Sequence, residues 1–216
     1  SRKLTNDLSL GGTARYIWSN LSGSISNYSD AKAGTSFSVD LGLYYNKEIN
    51  ISGRTSELSF GSHISNIGGK ITYGSSKNLD FIPTNIRFGS SLKTFIDQFN
   101  SITLAVDFNK LMVPSPPVYE LDDNGNFIVD PITNQPKILK GKDPNRSVLS
   151  GIFSSFSDAP DGFSEELKEI TISSGVEYWY RDIFALRGGY FFENIDKGGR
   201  KFLTLGAGLK LSLIHI

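Results

Sequence analysis

Cysteine is absent from this 216-residue chain. That excludes a disulfide scaffold, a thiol nucleophile and every thiolate metal site. Histidine is nearly absent: His63 and His215 are the only two, too far apart to suggest a histidine metal centre. Neither sign of charge is in excess, since 22 Lys and Arg balance 22 Asp and Glu. Composition therefore gives no reason to expect nucleic acid or another polyanion as partner. No apolar run approaches the ~18 residues of a membrane-spanning helix. The chain does not open with the Met, basic region and apolar stretch of a signal peptide, so it reads as a mature protein, a trimmed chain or a fragment. Apolar residues reach only 38%, yet 15 Phe, 9 Tyr and 22 Gly are present. Low apolarity combined with many aromatics and glycines points to β structure.

The dominant pattern is period two. Over 35–45, Phe37, Val39, Leu41, Leu43 and Tyr45 share one face, against Ser36, Ser38, Asp40 and Gly42 on the other. Over 101–110, Ile102, Leu104, Val106 and Phe108 alternate with Thr103, Ala105, Asp107 and Asn109. Ile170, Ile172, Val176, Tyr178 and Tyr180 do the same against Thr171, Ser173, Gly175 and Glu177. Leu203, Leu205, Ala207, Leu209 and Leu211 repeat it near the end. Weaker alternation covers 57–73, 85–95 and 183–193, and 13–19 offers a short eighth strand. The last residues break the rule: Ile214 and Ile216 fall on the polar face, which suggests a truncated or wrongly extended end.

Alternation alone fits a soluble sandwich, apolar face inward, as well as a membrane barrel, apolar face outward. Three features favour the membrane. Aromatics gather in Tyr44-Tyr45, 178–180 and 190–192, read as strand ends at headgroup level. Helix signals are nearly absent, 163–168 making at most one turn, so no helix is available to cover a sheet face. Connections alternate in length. Arg181-Asp182 and 96–100 are short, whereas 20–34, 74–84, 111–168 and 194–201 are long. Outer-membrane barrels have short periplasmic turns and long outer loops. With Arg181-Asp182 in the periplasm, all the long loops lie outside; only 46–56 fits poorly. The expected fold is all-β, an antiparallel transmembrane β-barrel, incomplete at about eight strands. A single domain, 1–216, carries one extracellular loop, 111–168.

That loop is too long for an idle connection. It opens with the stiff Pro114-Ser115-Pro116-Pro117. Two apolar runs flank Asn124-Gly125, a hairpin signal. The acidic residues Glu120, Asp122 and Asp123 invite a calcium reading, but an EF-hand register starting at Glu120 places Pro131 where a bidentate Glu is needed. A solvated hairpin tip fits better. Gly141-Lys142 lacks Walker spacing and reads as a turn. Then come Val148, Leu149, Ile152, Phe153, Phe156 and Phe163. They either form an exposed sticky patch for a partner or fold back to plug the barrel mouth.

Catalysis finds little support. His63 and Ser65 share a strand face, but serine is abundant and no G-x-S-x-G elbow occurs, so His63 reads as a polar lumen residue. Glu165 and Glu166 are chain neighbours that point apart if extended, and they read as solvated rather than as an acid/base pair. No cofactor and no metal is expected.

The words "GKDPNRSVLSGIFSSFSDAPDGFSEELKEITISSGVEYWY" and "FALRGGYFFENIDKGGRKFLTLGAGLK" resemble the PorV family of the bacterial type IX secretion system. Upstream, "GGTARYIWS", "FSVDLGLYY", "ISNIGGKITYG" and "FIPTNIRFG" look like the same family in the same order. The resemblance implies a fold similar to FadL-type transporters, with about fourteen strands, within the range of outer-membrane barrels. It implies residence in the bacterial outer membrane and no catalysis. Its implied partners are the lipid bilayer, the outer-membrane translocon, the C-terminal signal domains of secreted cargo and a sortase-like surface attachment complex; nucleic acid is not among them. Loop position and chemistry, rather than the resemblance, single out Tyr119, Asn145, Arg146, Phe153, Phe156 and Phe163 as partner contacts. The competing expectation is FadL-like transport of hydrophobic compounds, which needs an apolar lumen that these strands do not offer.

Overall fold

A computed structural model describes residues 1–20, 33–73 and 79–210. The irregular end at Ile214 and Ile216, most of the 20–34 connection and part of 74–84 lie outside the described residues.

In chain order the elements are β1 (Arg2–Lys3), β2 (Leu8–Ser19), β3 (Gly34–Ile51), β4 (Arg54–Gly68), β5 (Asn85–Phe95), β6 (Asn100–Leu111), β7 (Val118–Tyr119), β8 (Ile138–Lys140), α1 (Val148–Ser154), α2 (Phe163–Lys168), β9 (Thr171–Tyr180), β10 (Phe184–Phe192) and β11 (Lys201–Leu209). The eight long strands and the short β1 form one antiparallel sheet in the order β1-β2-β3-β4-β5-β6-β9-β10-β11. Every strand pairs with its neighbour in the sequence, apart from the β6–β9 step across the long loop. This is an up-and-down, barrel-like sheet, open at β1 and β11. The eight expected strands are all present.

The expected connection at 46–56 does not exist. β3 continues to Ile51 and turns at Ser52-Gly53, whose φ values of 53° and 80° are both positive, as a tight two-residue hairpin requires. Polar Asn46, Lys47 and Glu48 masked the continuing alternation, so Tyr44 and Tyr45 lie inside β3 rather than at its end. With this correction the length rule has no exception. The turns at 4–7, 52–53, 96–99 and 181–183 are short and share one end of the sheet, while 20–33, 69–84, 112–170 and 193–200 are long and share the other.

The two faces follow the pleat. Leu41 faces Ile64, Phe88 faces Phe108, and Leu104 faces both Leu92 and Val176. These residues stand on the outer face, where Leu41, Phe60 and Leu104 are half exposed and Leu205 is 92% exposed. On the inner face the buried residues are polar: Ser36, Ser38, Asp40, Ser59 and Ser101. No second layer covers the apolar side among the described residues. Of the six buried hydrophobic residues among the described ones, only Ala185 lies in a strand; Ile71, Ile82, Met112, Ile152 and Ala159 sit in the long connections. The sheet is inside-out, and the conventional core that the described residues form caps one end.

One irregularity sets the register. Leu41 pairs with Ile64 but Val39 pairs with Ile67, so β4 carries a bulge at Asn66, which has φ 57°. The extra residue keeps both isoleucines on the outer face. Asp40 holds the bulge by accepting from the Asn66 amide at 2.9 Å while it pairs with Arg15. The Thr84 hydroxyl donates to the Asn66 carbonyl at 2.7 Å.

An arginine at Leu205, midway along β11, is expected to cost about 2–4 kcal/mol of stability in a bilayer. One at Thr204, on the inner face, is expected to cost far less. Urea titration of both variants in lipid vesicles checks this, and equal losses would contradict the assignment of faces.

Candidate functional site

The described parts of the 69–84, 112–170 and 193–200 connections meet as a platform over one end of the sheet. Its core begins where Ile71 and Asp80 exchange backbone hydrogen bonds of 2.8 Å and the Met112 amide donates to the Thr84 carbonyl at 2.7 Å. α1 packs onto this base through Ile152 and Gly151. At Gly151 a Cβ would lie 2.7 Å from the Phe81 ring, with Pro114 close behind, so the helix approaches as near as a glycine permits. Ser147 caps α1 by accepting from the Ser150 amide.

α2 is fastened to the rim by a buried charge network. Lys110, 6% exposed, is an outward-facing residue of β6. It donates to Glu166 at 2.8 Å and to Glu169 at 2.5 Å. Glu166 also accepts from the amides of Asp158 and Ala159 at 2.8 and 2.9 Å. Glu169 accepts from the Ser115 hydroxyl at 2.9 Å, which anchors the proline-rich entry of the loop. Lys197, in the β10–β11 connection, bridges Glu165 at 2.6 Å and Glu169 at 3.0 Å. Three segments far apart in sequence are thereby locked together. Glu193 and Arg200 close the last connection with a two-pronged pair of 2.7 and 2.8 Å.

Burial pushes the Glu169 carboxyl up, but hydrogen bonds from Lys110 and Lys197 outweigh it and hold the group below the ordinary carboxylate value. The Lys197 hydrogen bond, with help from the Asp161 amide, lowers Glu165. Burial lowers Lys197, yet its two glutamates win and raise it. Asp158 goes the other way: burial raises it, and the nearby Glu166 charge adds to this.

Glu165 and Glu166, expected to be solvated, are not. The segment is helical rather than extended, and each carboxylate meets a lysine from another element. The acidic tip is self-contained: Asp122 Oδ1 accepts from the amides of Asn124 and Asn126 at 2.9 and 2.8 Å, and Gly125 supplies a φ of 82°.

The six expected contact residues fall in three places. Tyr119 lies on β7, in the small β7–β8 sheet, edge-on to Phe127 at 5.4 Å. Asn145 and Arg146 form the turn before α1, where the Asn145 amide donates to Asp143 Oδ1 at 2.7 Å and Arg146 Nε donates to the Asp143 carbonyl at 2.5 Å. Phe153 and Phe163 are each 74% exposed and Phe156 is 46% exposed. These rings do not plug the sheet's interior. Phe156 and Phe163 share a notch on the outer face with Phe88, Phe108, Leu167 and Ile170. Sequence reasoning missed α1 and the lysine network. Both carried a signal: Val148, Leu149, Ile152, Phe153 and Phe156 have helical spacing, and Lys110 interrupts the otherwise apolar outer face of β6.

Replacing Lys110 with Met leaves Glu166 buried without its cation and Glu169 with Lys197 alone. It is expected to weaken docking of the loop by about 3–5 kcal/mol, read as a rise in hydrogen exchange over 148–170. Glu166→Gln keeps an acceptor for the two amides and is expected to be milder. Acid should act as Lys110→Met does. Glu165 and Glu169 have lowered folded values, so their stabilisation is present above the unfolded value of about 4.5 and is lost as pH falls through the folded values. Lys197 is raised, so its share persists below 10.5 and disappears only as pH rises through its folded value. The absence of native cysteines allows a clean spin-label pair at Ser164 and Asp182. The distance between them should hold at neutral pH and broaden well below pH 4.5.

No curated protein matches the chain. A family model described as "Type IX secretion system protein PorV" matches residues 1–118, which takes in β1 to β6 and the bulge that sets their register. That match spans more than half of the 216 residues, and the open up-and-down sheet agrees with it: the chain belongs to the PorV family of type IX secretion system proteins.

Proposed function

We propose that the protein is an outer-membrane component of this machinery that receives secreted cargo from the translocon, recognises the cargo's C-terminal signal domain and passes it to a sortase-like surface attachment complex. The apolar outer face belongs in lipid, and the end carrying the long connections faces the cell exterior. The role is binding and transfer, not catalysis.

The observation that carries this reading is the platform. A protein that needed only a barrel would not build a buried ion network to hold exposed phenyl rings in place. Exposed aromatics on a rigid support are what an interaction surface requires, because little conformational entropy is left to lose on binding. Phe153, Phe156 and Phe163 form the apolar part of the contact, with Arg146 and Asn145 beside them and Tyr119 on the neighbouring lobe. The transport alternative gains less support. Most of the inner wall is Ser, Gly and charged residues such as Arg87, Asp107 and Glu177, and its aromatics are set beside charge, Trp179 donating to Glu177 and Arg200 lying over Phe191, which does not suit an apolar solute.

Capture of a cargo C-terminal domain by the full-length protein tests the reading. Changing Phe153, Phe156 and Phe163 together to Ser should lower capture by at least about tenfold while membrane insertion is retained. Unchanged capture after this substitution, or after removal of 111–168, would show that the loop is not the contact.

A further inference from the structure

The notch beneath α2 has a chemistry of its own. Ile86, Phe88 and Phe108 form its floor on the outer face of β5 and β6, and Phe156, Phe163, Leu167 and Ile170 form its wall. Its volume is about 210 Å³. The only charged side chains there, Lys110 and Glu166, neutralise each other at 2.8 Å, so the notch presents no free charge to attract an ion. We infer that this notch holds one acyl chain of a membrane lipid.

Four observations point to that occupant. Along the same outer face the floor is followed by Ser90 and Val106 and then by Leu92 and Leu104, the face read above as lying in the bilayer. The notch is therefore open to lipid along the sheet. Its volume accommodates roughly seven methylene groups, if each takes about the ~30 Å³ of a water molecule. Its lining is mostly apolar: besides Asn109 and the paired Lys110 and Glu166, it is made of aliphatic and aromatic residues. Finally, the rings around it are exposed in the protein alone: Phe88, Phe108 and Phe156 by about half and Phe163 by more. A chain seated there covers Phe88, Phe108 and part of Phe156 and Phe163; it ties the platform to the membrane surface and leaves Phe153, outside the notch, free for the cargo. The lysine network then holds a lipid clamp as well as a loop, with α2 as its fixed jaw.

The inference rests on the bilayer reading, and the experiment separates the two. The full-length protein is reconstituted in vesicles of dioleoylphosphatidylglycerol or dioleoylphosphatidylcholine, extracted into detergent and examined by native mass spectrometry. One lipid per protein should survive activation that strips the rest, with either headgroup, because the chain is what is held. Leu167→Asp and Phe156→Asp should each lower that retained fraction by at least about tenfold, equivalent to two buried methylenes. Leu149→Asp, on the exposed side of α1, should leave it unchanged. Insertion without a retained lipid, retention indifferent to Leu167→Asp and Phe156→Asp, or retention with only one headgroup overturns the notch assignment and leaves the bilayer reading standing. Failure to insert at all overturns both.

Discussion

An antiparallel sheet that turns most of its leucines outward, and mostly small and polar residues inward, exposes an apolar face that water does not favour. The hydrophobic effect would drive the apolar face under cover, and among the described residues no element supplies that cover. Hydrocarbon would remove the conflict: on the proposed reading the outer face is solvated by lipid while every interior strand satisfies its backbone through its neighbours. The long strands, the small inner residues and the displacement of the buried core into the loops all follow from this inversion. So does the division of labour between the two ends. The turn end needs only tight hairpins; the other end has water on one side, can build a small conventional core, and does so.

The Lys110 network makes that core a rigid support. A lysine on an apolar strand face is costly unless it is paired, and here two glutamates from the loop reach it. Lys197 ties the same glutamates to the β10–β11 connection. A buried network of this kind contributes little net stability compared with apolar packing. It fixes geometry: α2 is held in one register, with Phe163 and Phe156 both lining the notch. Family membership and the exposed rings meet at this point, since a secretion component is defined by what it holds and releases.

Much of the sheet was legible in the sequence because period-two alternation is a local signal. It failed where polar residues occupied both faces, as at Asn46 to Glu48, and where a bulge shifted phase between Ile64 and Ile67. Neither failure altered the strand order, because consecutive antiparallel strands leave few alternatives. The platform was less legible. α1 was overlooked although its apolar spacing is helical, since a seven-residue helix owes its existence to the Phe81 and Pro114 surface beneath it rather than to propensity. Glu166 looked solvated because its partner lies 56 residues away. Long-range pairing of charge leaves no periodic trace, only the anomaly of Lys110 itself.

The central claim is that lipid lies against the apolar face. A nitroxide scan along β6, one label at a time from Ser101 to Lys110 in bilayers, tests it most directly. The account predicts oxygen accessibility that oscillates with period two, high at Ile102, Leu104, Val106 and Phe108 and low at Thr103, Ala105 and Asp107. Accessibility to a water-soluble relaxant should run in the opposite phase. A flat profile, or high water accessibility at Leu104 and Val106, would contradict it.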